Sequence, residues 1–448
     1  MTEAASKQDF SAVATKMRSA GMPDLAVRTF QYYLKELVDG QSGLLGESLI
    51  APVTDAPRLA DWAGQYETGR QALAQTVVFK LNGGLGTSMG LNKAKSLLPV
   101  RENASFLELI ARQVLHLRRS GAKPVPLLLM DSFSTAADAV EHLARWPELA
   151  AAQAPLPLSF LQHQVPRLRA DTLALVDWPA DPQREWCPPG HGDLYTVLHA
   201  SGLLKKLIEH GYRYAFVSNA DNLGGTLDLD ILGQFAAHDI PFLMEVTERT
   251  PADRKGGHLA QTRDGKLVLR EAAQAPPDEQ ALFQDIERYR FFNTNNLWLN
   301  LPALARELEA RDGILGLPMI RNLKHVVPED AGTPQVVQIE TAMGAAIEVL
   351  RAHRSSMSRA SASPRSRPPP TCWRCGRTAT ASSPTAAWSP ARKSRSVSNS
   401  TRAISRPLPD SRIAFQPARR RLPMPNCSRW KAISCSRAMW SYKVEFDW

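Results

Sequence analysis

Between residues 71 and 248, short apolar runs alternate with longer segments of helical periodicity, and this alternation limits the folds open to the chain. TVVFKL (76–81), PVPLLLM (124–130), LSFLQHQ (158–164), YRYAFVSNAD (212–221) and IPFLMEVTE (240–248) read as strands. SFLELIARQVLHLRRSG (105–121), TAADAVEHLARW (135–146) and LYTVLHASGLLKKLIEHG (194–211) read as helices. Strands this apolar need cover on both faces, and the intervening helices supply it. The pattern therefore predicts an α/β fold with a mixed, mostly parallel sheet and helices on both faces. In such sheets ligands sit beyond the carboxyl ends of the strands, so residues at strand ends are the ones to follow. Residues 1–70 read as an N-terminal helical segment. It opens with two helices across 8–38, and Asp24 is placed to cap the second through its side chain.

Charge divides the chain sharply. Residues 351–448 hold 20 of the 54 Lys and Arg but only three of the 44 Asp and Glu, leaving 34 basic and 41 acidic residues before them. The formal charge of +10 therefore combines a body of about −7 with a tail of about +17, and the body carries no nucleic-acid signature. The tail has neither helical nor strand periodicity and contains 19 serines. Its cysteines at 372, 375, 427 and 435 raise a zinc reading, which the seven-residue gap in the second pair argues against. GC-rich codons for SASPRSRPPPTCWRCGRTAT (361–380), read one base earlier, also encode RFAPVKTTADLLALRSDCY, which has a helix-like pattern. Residues 351–448 are accordingly expected to be a low-complexity, disordered segment read out of frame. No run of about 18 apolar residues predicts a membrane span, the N-terminus lacks the layout of a signal peptide, and a cytoplasmic location is expected.

The first strand runs into Leu81-Asn82-Gly83-Gly84-Leu85-Gly86, with Lys80, Lys93 and Lys95 close by. Glycines after a strand let the backbone approach a ligand, and their N–H groups can face an anion. This predicts a phosphate cradle that is neither GxxxxGK[ST] nor GxGxxG. At other strand ends stand Gln162, able to pair with a base edge, and Asn219 and Asp221. Asp221 is a carboxylate suited to Mg²⁺, a hard cation that bridges phosphates. Pro188-Pro-Gly-His-Gly-Asp193 reads as a rigid turn opening a helix.

KLNGGLGTSMG (80–90) closely resembles the signature of the eukaryotic-type UTP–glucose-1-phosphate uridylyltransferases, the UDP-glucose pyrophosphorylases. The resemblance continues in the family's order through SFST (132–135), FLQHQVPR (160–167), PPGHGD (188–193), FVSNADNLG (216–224), FLMEVTERTPADRKGG (242–257), FFNTNNLW (291–298) and QIETAMGAAIEV (338–349). It covers roughly 45–350, with the nucleotidyltransferase catalytic domain expected at 71–350. Two departures are Lys93-Ala94-Lys95-Ser96, where GPKS is usual, and Asp131, where Asn is usual.

The resemblance implies a Rossmann-like nucleotide-diphospho-sugar transferase fold that joins UTP and glucose 1-phosphate into UDP-glucose and pyrophosphate with Mg²⁺. It assigns Leu81, Asn82, Gly83, Gly84, Lys95, Gln162, Gly190 and Asp221 to the nucleotide, with Asp221 on the metal. His191, Asn219, Asn295 and Asn296 go to the sugar phosphate, Lys95 and Lys255 are the catalytic cations, and Glu340 faces the sugar. It also implies a late phosphate-binding lysine in a PVKTT-like segment and a terminal β-helix domain. Both are legible only in the shifted frame. Alternatives are a UDP-N-acetylhexosamine pyrophosphorylase, against which Asn82 speaks, and an inactive nucleotide-sugar binder. A nucleic-acid binder using the basic tail is a third, and neither nucleic acid nor membrane is expected as a partner.

Overall fold

The computed structural model describes residues 10–85, 93–101, 103–119, 121, 123–350 and 378–379. The expectations for the tail, including the out-of-frame reading, the zinc pairing and the lost domain, lie outside the described residues. Only Thr378–Ala379 is described there, as a short strand.

The main sheet contains β1 (Ile50–Pro52), β2 (Thr76–Asn82), β3 (Leu127–Asp131), β4 (Ser159–Leu161), β5 (Tyr214–Asn219), β6 (Phe242–Glu248), β7 (His258–Thr262), β8 (Leu267–Arg270) and β9 (Phe291–Asn300). Its spatial order is β1-β7-β9-β5-β2-β3-β4, with β6 paired to β9 and β8 to β7. The four strands β5-β2-β3-β4 are mutually parallel. β9 runs antiparallel to β5 and begins an antiparallel wing of β6, β7, β8 and β1. The expected mixed sheet is present, with its parallel part at the centre. Two further strands, β10 (Met319–His325) and β11 (Gln335–Thr341), pair antiparallel in a separate sheet with Leu168–Arg169.

Side chains alternate along each strand, so each parallel strand feeds two cores. Val77 and Phe79 of β2 join Ala215 and Val217 of β5 on one face. There they meet α5 (Asp193–Ala200), α6 (Leu203–Glu209) and α8 (Leu301–Ala310). Val78, Tyr214 and Phe216 face the other way, against α3 (Phe106–Arg118), α4 (Ala136–Leu143) and α7 (Leu229–Ala237). A third core packs α1 (Phe10–Ser19) and α2 (Asp24–Val38) over Val165, Leu168 and β11. Among the described residues no helix is long and apolar enough to cross a membrane.

Three local expectations are corrected. The helix expected over 194–211 is two helices, because Gly202 adopts φ +73° and starts a new one. Asp24 does not cap α2; Pro23 occupies that position, while the exposed Asp24 carboxylate accepts from Arg18 Nη2 at 2.9 Å. The strand expected over 158–164 stops at Leu161. Beyond it the Gln162 N–H donates to Asp131 O at 2.8 Å and the chain turns away.

The antiparallel wing is tied to the segment before β1 by a buried charge. The Arg270 guanidinium is wholly buried, pairing with Glu47 and, at 2.8 Å, with Glu279. Glu47 also accepts from Arg288 Nη2 at 3.0 Å and from the Tyr289 hydroxyl at 2.8 Å. Breaking a buried pair by removing one partner leaves charge uncompensated, so Arg270→Ala is expected to lower unfolding stability by about 3 kcal/mol. Denaturant midpoints of the two chains check this, and a loss below about 1 kcal/mol would show the pair to be a surface-like one.

Candidate active site

The parallel register brings the carboxyl ends of the central strands level. Asn219 of β5 lies opposite Leu81 of β2, Asn82 opposite Asp131 of β3, and Asp131 opposite Leu161 of β4. The chain leaves this edge as Gly83-Gly84-Leu85. Leu85 bridges Ala94, and the Lys95 N–H donates to Gly84 O at 3.0 Å, so the loop is clasped at its base. Its tip, including Gly86, lies outside the described residues. The Gln162 amide sits against Gly83, where a Cβ would lie 2.7 Å from Nε2. A glycine there makes room for the amide at the loop's surface. The Asn82 side chain does not face this space. It is buried and donates to Asp131 Oδ1 at 2.6 Å, while Ser159 donates to Asp131 Oδ2. Burial holds the Asp131 carboxyl above its usual range, and these two donors work against that shift. Asn82 therefore offers a ligand its backbone.

The turn Pro188–Asp193 is sewn to the end of β11. The Thr341 N–H donates to Pro189 O at 3.0 Å and the Gly192 N–H to Thr341 O at 2.9 Å. Gly190 has φ +79°, and a Cβ on it would stand 2.4 Å from Thr341 O. Glu340 borders the same glycine, its Cβ 3.1 Å from that position. The Met343 N–H donates to His191 Nδ1 at 2.9 Å. That bond fixes the tautomer: Nδ1 accepts, so Nε2 carries the proton and is a donor. Burial pushes the His191 pKa down to about 4, so the ring is neutral at neutral pH. Asp193 grips His163 twice, accepting its N–H at 2.7 Å and lying 2.8 Å from its Nδ1. The turn is thereby fastened to the residue beside Gln162. A small cavity, about 40 Å³, lies behind this turn against α2.

Asp221 stands two residues past β5, half-exposed, with its Oδ2 2.5 Å from Lys95 Nζ. This contact joins the Asp221 loop to the glycine loop. Among the described residues no three His, Cys, Asp or Glu cluster as a metal cage. A cation here would rest on the Asp221 carboxylate and on ligand oxygens, which suits Mg²⁺. Asn219 is half-buried at the end of β5 beside Leu81.

Asn295 and Asn296, expected at the sugar phosphate, lie on a bulge. β9 pairs with β6 at Asn293↔Val246 and Leu297↔Met244, so Thr294, Asn295 and Asn296 oppose the single residue Glu245. Asn295 sits at φ +57°, a conformation asparagine tolerates better than most residues. Its N–H donates to Asn293 Oδ1 at 3.0 Å and its Oδ1 accepts from Asn293 Nδ2 at 3.0 Å, with the side chain half-exposed. Asn296 is buried. Its Nδ2 donates to Glu245 Oε2 at 3.1 Å and its Oδ1 accepts from Asn222 Nδ2 at 3.2 Å. Lys255 is exposed on the turn before β7, near Asn293, whose N–H donates to Gly257 O at 3.0 Å.

Lys80 is corrected. It does not add charge to the cradle, because its side chain lies buried over the Phe216 ring and is 2% exposed. Nζ donates to Ser218 Oγ at 2.6 Å and to Gly225 O at 2.7 Å, and burial pulls its pKa down to about 7. Lys93 is exposed at the edge of the undescribed stretch. The sequence reading missed Asp193, Glu245 and Thr341. An acid within the apolar run FLMEVTE was the available sign for Glu245; the turn ending at Asp193 marked that residue's place but not its partner, and nothing local marked Thr341.

A family model described as UTP–glucose-1-phosphate uridylyltransferase matches residues 35–369. The chain is 43% identical over 319 residues to the UTP–glucose-1-phosphate uridylyltransferase of Saccharomyces cerevisiae, covering 71% of this chain and 62% of that one. It is 38% identical over 321 residues to the Encephalitozoon cuniculi protein of the same name, covering 72% and 61%. The match thus spans about three-fifths of these relatives' length. Among solved structures, the UDP-glucose phosphorylase of Trypanosoma brucei superposes with TM-score 0.72 at 42% identity, covering 76% of this chain and 73% of that one. A variant of the Leishmania major UDP-glucose pyrophosphorylase, in complex with UDP-glucose, gives TM-score 0.71 at 43% identity and covers 78% and 74%.

The His191 geometry sets a pH dependence. Its folded pKa lies below the ordinary 6.5, so the unfolded chain binds the proton better between the two values. Its stabilising contribution is complete above about pH 6.5 and is lost as pH falls through about 4. An imidazole NMR titration is expected to show a midpoint near 4 with the proton on Nε2; a midpoint near 6.5 would contradict the neutral ring.

Proposed function

The chain belongs to the UTP–glucose-1-phosphate uridylyltransferase family, and from that premise we propose that it transfers uridylyl from UTP to glucose 1-phosphate in the cytoplasm, forming UDP-glucose and releasing pyrophosphate. The observation that supports this is the contact path Gly190–Asp193–His163–Gln162–Gly83–Gly84–Lys95–Asp221, which brings together the residues we assign to the base, the phosphates and the metal.

In this reading the uracil lies between the Gln162 amide and the backbone of Leu81–Gly84, and Gly190 admits the ring closely. Two anions must meet in line at the α-phosphorus, so positive charge and fixed positions provide most of the catalysis. Lys95 turns its ammonium to the phosphates, drawn from Asp221 by the greater charge. Mg²⁺, held by Asp221, supplies charge neutralisation to the phosphates when bound. His191 donates from Nε2 to a phosphate oxygen without needing a positive charge. Asn219 and the amide on the Asn295 bulge contact the sugar phosphate. Asn296 keeps one N–H and one lone pair for glucose while holding the bulge to Glu245, and Lys255 and Glu340 border the sugar side.

The late lysine implied by the family is missing from the translated chain. We read residues 351–448 as out of frame, which lowers turnover by about 10²–10³ relative to a frame-restored chain, the usual effect of losing one preorganised charge. A coupled pyrophosphate assay on both chains tests this, with N-acetylglucosamine 1-phosphate as competing substrate. UDP-glucose formation by the restored chain is expected, together with a loss of about 10²–10³ on Lys95→Ala. Absence of both UDP-glucose binding and pyrophosphate release in both chains would overturn the assignment.

A further inference from the structure

We propose that Lys80 is a positioning residue whose ammonium closes the base of the 218–225 loop and thereby sets Asp221 for the metal-bound nucleotide. The inference rests on the nucleotidyltransferase reading and deepens it.

A lysine in the middle of a central strand is costly. Its charge is removed from water, and an apolar side chain of similar volume would pack there at no such cost. The opposing charge that favours the protonated form is Glu245. What distinguishes Lys80 is where its hydrogen bonds go. Ser218 is the strand neighbour of Lys80 and lies three residues before Asp221; Gly225 lies four residues after it. One ammonium therefore joins the two stems of the loop that carries Asn219, Asp221 and Asn222. Gly225 is shaped for this contact. A Cβ there would stand 2.8 Å from Asn296 Oδ1 and 2.9 Å from Ser218 Cβ, so only a bare backbone brings the carbonyl down to Nζ.

The loop continues into the sugar side. The Gly225 N–H donates to Asn222 Oδ1 at 3.2 Å, Asn222 Nδ2 to Asn296 Oδ1 at 3.2 Å, and Asn296 Nδ2 to Glu245 Oε2 at 3.1 Å. A part-buried chain of hydrogen bonds thus runs from Lys80 through Gly225, Asn222 and Asn296 to Glu245. Among the described residues the Asp221 carboxylate pairs with Lys95, the lysine that the phosphates need in this reading. Once Lys95 leaves, the position of Asp221 depends on the backbone of its loop, and Lys80 holds that backbone.

The test uses the full chain and its Lys80→Met variant, with Mn²⁺ as the probe metal read by electron paramagnetic resonance in the presence of UTP. Metal-free UDP-glucose binding is measured beside it. Because Leu81–Gly84, Gln162 and Gly190 lie outside the 218–225 loop while Asn219 and Asn296 are tied to it, Lys80→Met is expected to weaken UDP-glucose binding only severalfold, whereas its Mn²⁺ affinity in the UTP complex falls about 10–100-fold, the usual range when a supporting partner of a metal site is lost. Ser218→Ala removes one acceptor and is expected to show a smaller Mn²⁺ loss in the same direction; it serves if Lys80→Met does not fold. Unchanged Mn²⁺ affinity in a folded variant overturns the inference, as does an equal fall of both affinities. Failure of the parent chain to bind UDP-glucose would instead sink the functional reading.

Discussion

The site depends on the register of four parallel strands. β5, β2, β3 and β4 finish level, so a backbone loop, an amide, an asparagine and an aspartate from distant parts of the sequence open onto one edge. Two cores lock that register. A slip of one residue would send Val77 and Phe79 to the face now occupied by Val78 and Lys80, exchanging the contents of both layers at once. The antiparallel wing then adds what a parallel sheet alone does not supply: a bulge at 294–296 that lifts an asparagine out of the ladder.

Around this frame the chain buries charged groups and uses each to hold a neighbour in place. Asp193 fixes His163, Asp131 fixes Asn82, and Arg270 ties the wing to the segment before β1. Lys80 fixes Ser218 and Gly225. Burial acts on Asp131 and Lys80 in opposite senses, raising the acid and lowering the base, because in both it disfavours the charged form. Such groups contribute little net stability compared with apolar residues of the same volume, and their value here lies in position.

Much of this was legible in the sequence. The strand–helix alternation indicated the layers, and the ends of the runs TVVFKL, LSFLQHQ and AFVSNAD located the edge. Lys80 was misjudged because period-2 alternation says that a side chain faces one layer, not that a polar acceptor waits inside it. Asp24 was misjudged because Pro23 takes the capping position. The split at Gly202 was readable in principle, since glycine permits φ above zero, but helical periodicity continues on both sides of it. Asp193 and Thr341 act across long sequence separations, joining 193 to 163 and 341 to 189–192, and such contacts leave no local pattern.

The Lys95–Asp221 contact gives the strand-end edge an internal counter-ion. With ammonium and carboxylate matched at 2.5 Å, the edge presents a dipole to solvent in place of two bare charges. A stray inorganic anion gains little by displacing the carboxylate, and a lone divalent cation gains little by displacing the ammonium. In the proposed function a ligand that brings both signs together, polyphosphate with its metal, would exchange both halves of the pair in one event. On that reading the ion pair would filter by charge pattern before the glycine loop or the amides read any shape.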